Sequence, residues 1–216
     1  MYYEPSHEGL DRVQAIRYYS RMQILLTVAP LLQKSSSPRV VTVLGAGKEG
    51  QLWADDLYLK DHYSLPNAAG ASASMMTLFL EEFQKQPGNA KISFVHLYPG
   101  LVGGTGLTIK GLPGWAQVLV DWIATPLMRW FGYSVEEAGE RVLYAATSPM
   151  FPAKDRQGRE EAERGSDGGK GSGVYLAQGD STVVPGNKVL SGLREDEMGT
   201  KVWDHTNKIF SSVQRS

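Results

Sequence analysis

The sequence predicts an α/β protein in which a small parallel sheet of few strands is flanked by helices. Three short runs rich in β-branched and aromatic residues, at positions 39–45, 92–98 and 174–178, read as buried strands. Segments with helical periodicity precede the first run, separate it from the second and follow the third. Because strands that alternate with helices pair in parallel, the three strands are expected to form one sheet.

The helices are assigned from the spacing of apolar residues and from signals at the helix ends. They are expected at residues 9–34, 67–86, 112–131, 134–147 and 195–213. Pro126 lies inside the third of them and predicts a kink or a break there. Ser134 and Glu137 have the spacing of a capping box, which fixes the start of the fourth.

Composition indicates one globular domain and excludes several functions. The 216 residues are 42% hydrophobic and 21% charged, with a net charge of -1, so there is no broad basic surface for nucleic acid. The lack of cysteine excludes disulfides and thiolate catalysis, and the scattered histidines predict no metal site. We treat residues 1–216 as a single domain with a flexible excursion at 155–173, where glycine and charged residues dominate.

No segment has the pattern of a targeting signal or of a membrane span. The N-terminus lacks the basic run and apolar core of a signal peptide. The most apolar stretch, residues 112–131, carries Asp121 and Arg129, which are costly inside a bilayer. The sequence therefore predicts a cytoplasmic protein without a membrane span.

A glycine-rich segment follows the first strand. Residues 45–50 (GAGKEG) match the dinucleotide fingerprint G-x-G-x-x-G, in which a helix must begin inside the motif to hold the pyrophosphate. The following residues, 51–63, show no helical stripe, and no acidic strand end follows about 20 residues on. A second segment, residues 169–172, lacks the strand of a phosphate loop. Neither motif predicts a bound cofactor, so none is expected.

The order of these elements resembles the C-terminal half of the short-chain dehydrogenase/reductase family. Residues 28–32 (VAPLL) and the strand after them look like the family's helix and the strand that ends at its catalytic serine. Tyr63 falls where the family's Y-x-x-x-K motif opens a helix, and the next strand ends in Pro99 and Gly100, as in the family. The resemblance implies a truncated Rossmann-like sheet, with the family's first half preceding residue 1.

The same resemblance implies a degenerate catalytic set. By position, Gly45 replaces the family's serine, Asn67 replaces its lysine and Arg17 replaces a supporting asparagine, so only Tyr63 remains. In the family the lysine lowers the tyrosine pKa. A free tyrosine has a pKa near ~10, so without a cation Tyr63 is expected to donate a proton rather than accept one.

The expected site lies beyond the carboxyl ends of the strands, where doubly wound sheets bind ligands. Tyr63 and Asn67 are the candidate catalytic residues. The candidate substrate-binding residues are Gly45, Tyr98, Pro99, Gly100, Trp115 and Trp122. The helix 112–131 would cover the site as an aromatic lid, which suits an apolar small molecule. Proton donation by Tyr63 together with folding of the substrate suits cyclisation, isomerisation or dehydration.

Structural roles for these residues stay open. Tyr63 is also a candidate buried tyrosine with a satisfied hydroxyl, and Asn67 is a candidate helix N-cap. The tryptophans are candidate residues of the core or of a dimer face. His62 and His96 are candidate structural histidines, and Asp55 and Asp56 candidate solvated loop acids. The lead interpretation is a redox-inactive small-molecule enzyme of specialised metabolism. The alternatives are an NAD(P)-dependent oxidoreductase completed by a partner chain, and a non-catalytic interaction protein.

A homodimer is expected for two reasons. In the family that the chain resembles, the helices corresponding to residues 9–34 and 67–86 pack against their copies. The strand 39–45, whose neighbour would belong to the family's first half, has no internal charge or proline to guard its edge. Such an edge pairs readily with another chain.

Overall fold

A computed structural model describes residues 3–103, 113–119, 122–123, 132–156 and 161–213. The elements follow in chain order as α1 (Arg12–Gln14), a π-helical turn (Ala15–Tyr19), α2 (Ser20–Leu32), β1 (Arg39–Val43), α3 (Leu65–Lys85), β2 (Ser93–Leu97), α4 (Gly114–Leu119), α5 (Val135–Thr147), β3 (Val174–Ala177), α6 (Lys188–Glu195) and α7 (Met198–Val213). None of the helices within these described ranges is long and apolar enough to cross a bilayer.

The three strands form one parallel sheet in the order β1-β2-β3, which confirms the predicted fold class. Val41 pairs with Val95, and Val95 pairs with Tyr175, so the carboxyl ends of all three strands meet at one edge of the sheet. All five residues of β2 are buried, as expected of a central strand covered on both faces.

Helices cover both faces of this small sheet. On one face α3 packs against Phe94 and Leu176, with α7 behind it, in the larger apolar cluster. On the other face α5 contributes Ala145 to a smaller cluster with Val95 and Tyr175. Fourteen of the 21 residues of α3 are buried, so this helix is the centre of the fold.

Two helix boundaries differ from the sequence prediction. The start of α3 is Leu65, not residue 67, because the Ser64 hydroxyl accepts the N–H of Asn67 at 3.2 Å and Pro66 suits the first turn. The interpretation of Asn67 as the N-cap is therefore wrong. The helix predicted at 195–213 is α7, which starts at Met198 because Glu197 adopts a left-handed backbone conformation (φ 54°) just before it. The preceding helix α6 was not predicted.

Other expectations are met or lie partly outside the described ranges. Ser134 caps α5 by accepting the N–H of Glu137 at 3.0 Å, as predicted. The first helix contains a π-helical turn that apolar spacing did not predict. Of residues 112–131, the structure describes only 113–119 and 122–123. Within the excursion 155–173, residues 157–160 lie outside the described ranges, and its flexibility stays a prediction.

Candidate functional site

A chain of buried hydrogen bonds anchors the loop that follows β1 to the neighbouring strand and helix. The Gly45 N–H donates to His96 Nε2 at 3.1 Å, so the ring proton of neutral His96 must be on Nδ1. This Nδ1–H lies 3.0 Å from Thr77 Oγ1, and the Thr77 hydroxyl donates to Glu49 Oε1 at 3.0 Å. Burial lowers the pKa of His96 to about 3, so the ring is neutral at physiological pH.

The glycine motif 45–50 does not form a pyrophosphate cradle. Burial raises the pKa of the Glu49 carboxyl, but the backbone N–H groups of Glu49 and Gly47 oppose that shift by hydrogen bonding to it. A carboxylate therefore takes the amide groups that a phosphate would need. The next helix along the chain begins only at Leu65, so no helix starts inside the motif as the fingerprint requires. These residues do not fit a dinucleotide.

The predicted substrate-binding residues beside β2 do lie together at the carboxyl edge of the sheet. Tyr98 N–H donates to Ala177 O at 2.9 Å, and the ammonium of Lys48 lies 5.4 Å from the centre of the Tyr98 ring. Gln178 joins this edge to the loop after β1 by donating to Ala46 O at 2.8 Å. The structure thus brings Gly45, the loop around it and Tyr98 to one edge.

Pro99 and Gly100 complete this edge through close backbone packing. Gly100 has a positive φ of 78°, and a Cβ there would meet the Tyr133 ring at 2.6 Å, so only glycine fits. The Arg141 guanidinium lies over the same Tyr133 ring at 4.1 Å from its centre. Pro99 O lies 2.6 Å from the Cβ position that any side chain at Gly179 would need.

Tyr63 lies just before α3, with its ring edge-on to Tyr3 at 6.0 Å between centroids. Its hydroxyl is buried and has no hydrogen-bond partner among the described residues. Burial raises the pKa of Tyr63 and the Asp11 carboxylate raises it further, whereas Arg17 opposes the shift. Tyr63 is therefore protonated at neutral pH, as an acid must be.

The other predicted catalytic residue, Asn67, has a structural contact, and the two predicted lid tryptophans are exposed. Asn67 Nδ2 donates to the backbone oxygen of His62 at 2.8 Å, so the amide steadies the turn before α3. Trp115 and Trp122 are 70% and 79% exposed. Residues 104–112 and 124–131, which would complete the lid, lie outside the described ranges, so substrate contact by these tryptophans stays a prediction.

Sequence reasoning missed a second polar cluster in the loop between β1 and α3. Asp56 is only 6% exposed, so its interpretation as a solvated loop acid is wrong. Its carboxylate holds the His62 ring, which stacks on Trp53. The apolar spacing of residues 46–66 gives no signal for this cluster, since it depends on a loop that closes on itself. The described residues include no group of three acidic or histidine side chains able to hold a metal.

Comparison with known proteins gives relatives across nearly the whole chain, although no protein-family model matches it. An oxidoreductase of Emericella nidulans is 37% identical over 95% of this chain and 63% of its own length. An NmrA-like family domain-containing oxidoreductase of an Aspergillus species is 30% identical over 98% of this chain and 60% of its own length. A short-chain dehydrogenase/reductase of Stachybotrys chartarum is 29% identical over 97% and 61%.

The chain thus spans less than two thirds of the length of these relatives. Their names agree with the resemblance drawn from Tyr63, Pro99 and Gly100, and the three-stranded parallel sheet agrees with the fold it implies. The chain is a relative of fungal oxidoreductases, and these similarities support a short-chain dehydrogenase/reductase-like family.

Proposed function

We propose that this chain is a reductase-derived enzyme of specialised metabolism that acts on an apolar small molecule without transferring hydride. Its reaction is a cyclisation, isomerisation or dehydration in which Tyr63 donates a proton to a substrate oxygen. In this proposal Gly45 and Asn67 stand where the short-chain dehydrogenase/reductase family that the chain resembles has its serine and lysine. No cofactor takes part.

The observation that carries the proposal is the buried hydroxyl of Tyr63 without a hydrogen-bond partner among the described residues. A buried polar group without a partner costs about 1–3 kcal/mol, so a purely structural position is better filled by phenylalanine. The raised pKa keeps the phenol protonated, which suits a proton donor. The lack of a fitting pyrophosphate cradle at residues 45–50 argues against hydride transfer by these residues alone.

A second candidate function is NAD(P)-dependent oxidation or reduction, in which Tyr63 has the same acid role. The names of the relatives favour it, since all three are called oxidoreductases or dehydrogenase/reductases. In that case a nicotinamide cofactor would be held by residues outside this chain, either in a partner or in a longer protein. The two functions differ in whether a hydride is transferred to or from the substrate.

Product analysis separates the two. We would incubate the chain with a panel of polyketide-like and terpene-like ketones and alcohols, with and without NADPH, and measure product masses. The proposed function predicts products of unchanged mass, or lighter by one water, that do not depend on NADPH. A product heavier by two hydrogens, formed only with NADPH, would establish the second candidate instead.

A binding experiment on the same chain gives an independent check. Calorimetric titration with NADPH and with NADH is expected to give no measurable heat, because the amide groups of the glycine loop already hold Glu49. A short-chain dehydrogenase that binds its cofactor serves as the positive control. A micromolar dissociation constant would contradict the proposal that no cofactor takes part.

We also propose that a second copy of the chain covers the free edge of β1. Leu44 N–H donates to Leu97 O, so alternate residues of β1, including Val41, direct their backbone groups away from β2. Val43 also faces away from β2, but its carbonyl oxygen already accepts a hydrogen bond from Arg21 Nη1 at 2.6 Å. An apolar groove of about 560 Å³ runs between this edge and α2, and it includes Ile24. The small residues of α3 from Gly70 to Ser74 are buried inside the chain, so they are not available to such a surface.

Light scattering at micromolar concentration is expected to return about twice the chain mass of 23.7 kDa. Ile24→Lys should shift the protein to monomer, because residue 24 is 62% exposed and its charge would enter the interface rather than the core. Leu143→Lys is the matched control, since Leu143 is equally exposed at 62% on α5. A monomeric wild type, or a dimer that survives Ile24→Lys, would contradict the proposal.

A further inference from the structure

The loop between β1 and α3 closes around the carboxylate of Asp56. The backbone N–H of Lys60 donates to Oδ1 at 2.7 Å, and those of Asp61 and His62 donate to Oδ2 at 2.9 and 3.0 Å. Burial alone would raise the pKa of Asp56, but these donors and the His62 ring lower it below its ordinary value. Asp56 is therefore an anion held in a rigid position.

That anion fixes the His62 ring in one tautomer. His62 Nδ1 lies 3.0 Å from Asp56 Oδ2, and a carboxylate only accepts, so Nδ1 carries the ring proton. The Nε2 atom is left with its lone pair and has no hydrogen bond within the described part of the chain. The ring is also stacked on Trp53, with centroids 4.3 Å apart and planes 8° from parallel.

The two members of the pair differ in their exposure to solvent. The Asp56 side chain is 6% exposed, whereas the His62 side chain is 40% exposed. The three backbone N–H groups already satisfy the carboxylate, so the imidazole is not needed to compensate a buried charge. What the ring gains from Asp56 and Trp53 is a fixed orientation, with Nε2 as the ring nitrogen that Asp56 does not hold.

We propose that His62 is a general base of this protein, oriented by Asp56 and Trp53. Its substrate is an organic molecule with an acidic C–H or O–H bond. Nε2 takes the proton, the electron pair of that bond stays on the substrate, and the imidazolium that forms is stabilised by the Asp56 carboxylate. The proton then returns to another substrate atom or to water, so no oxidant or reductant is consumed.

This inference rests on the proposed function in one respect, that His62 as a base works together with Tyr63 as the acid. Isomerisation and dehydration need a base to remove one proton as well as an acid to supply another. Tyr63 is the proposed acid, and the residues described at the carboxyl edge supply no second exposed imidazole. His62 is next to Tyr63 in the chain, and Asn67 ties the His62 backbone to the start of α3.

The test uses 5-nitrobenzisoxazole, an aromatic probe whose reaction requires only a base. Removal of its ring C–H proton sends that electron pair into a new C≡N bond, and the N–O bond breaks to release a coloured phenolate. The wild-type chain is expected to accelerate this elimination about ten-fold over the His62→Gln variant, below the general-base range because the probe is not the natural substrate. Equal rates in the two proteins would overturn the proposal.

A control variant makes the result specific. His7→Gln removes an exposed histidine outside the cluster and should keep the wild-type rate; an equal loss in that variant would overturn the assignment to His62. The elimination needs no acid, so its rate tests the base alone and carries no information on the acid role proposed for Tyr63. The base assignment and the proposed acid role of Tyr63 therefore fail separately.

A measurement on the unmodified protein guards against a variant that does not fold. Long-range ¹H–¹⁵N NMR correlations report which imidazole nitrogen carries the proton. The proposal expects neutral His62 to be protonated at Nδ1 and bare at Nε2. A ring that is protonated at Nε2 and bare at Nδ1 would overturn it.

Discussion

Replacing Tyr63 by phenylalanine is expected to remove most of the product formation and at the same time to stabilise the fold. The loss of a positioned general acid lowers the turnover rate by roughly 10²–10⁴-fold. The ring contact with Tyr3 is retained, because phenylalanine keeps the aromatic ring and loses only the hydroxyl. The measurement is the initial rate on whichever panel compound the wild type converts.

The stability of the same variant gives the second readout. Because the Tyr63 hydroxyl is buried without a partner among the described residues, its removal should raise the free energy of unfolding, by about 1 kcal/mol. Tyr18→Phe is the matched control, since the Tyr18 hydroxyl lies 2.7 Å from Thr206 Oγ1. That variant should lose about 1 kcal/mol, because Thr206 is left without this partner.

Opposite signs for the two tyrosines would separate function from structure. If Tyr63→Phe keeps the full rate, Tyr63 is a structural residue and the proposed acid is wrong. If it destabilises the fold as Tyr18→Phe does, the hydroxyl has a partner in solution. Urea denaturation monitored by circular dichroism measures both free energies of unfolding, provided that the slope with denaturant does not change.

The fold was predictable because its signals are local. The three strands are short β-branched or aromatic runs, and each lies within two residues of its expected bounds. The capping box at Ser134 fixed the start of α5, because a hydroxyl and the N–H three residues on must meet there. The helical periodicity between the strands predicted that the sheet is parallel, because strands separated by helices pair in parallel.

The site was less predictable because its contacts join distant or irregular segments. The Glu49–Thr77–His96 chain connects a loop, α3 and β2, and no sequence spacing reports such a contact. The burial of Asp56 depends on the conformation of its own loop, in which Leu59 adopts a left-handed backbone conformation (φ 56°). From sequence alone, a carboxylate in a polar loop is expected to be solvated, and only the folded conformation of the loop shows that it is buried.

Gly70 shows how packing can reverse an ordinary helix preference. Alanine in a helix interior is normally more stable than glycine by roughly 0.5–1 kcal/mol. A Cβ at Gly70, however, would lie 2.9 Å from the Cα of Gly50, which is backbone and cannot rotate away. The two segments are further joined by the hydrogen bond from Gly50 N–H to Gly70 O at 3.1 Å.

Gly70→Ala is therefore expected to lower the free energy of unfolding by about 1–3 kcal/mol, as overpacking does.

Gly139→Ala is the matched control. Gly139 lies inside α5, and beyond its chain neighbours and its own helix backbone no atom of the described residues lies within 4 Å of its Cβ position. That variant should gain roughly 0.5–1 kcal/mol, because only the helix preference acts. Urea denaturation measures both free energies of unfolding. A Gly70→Ala variant that is as stable as Gly139→Ala would show that the glycine loop moves to make room for the added methyl group on α3. The loop that carries Glu49 would then be adaptable rather than fixed, and the carboxyl edge of the sheet would lose the rigidity that the proposed site requires.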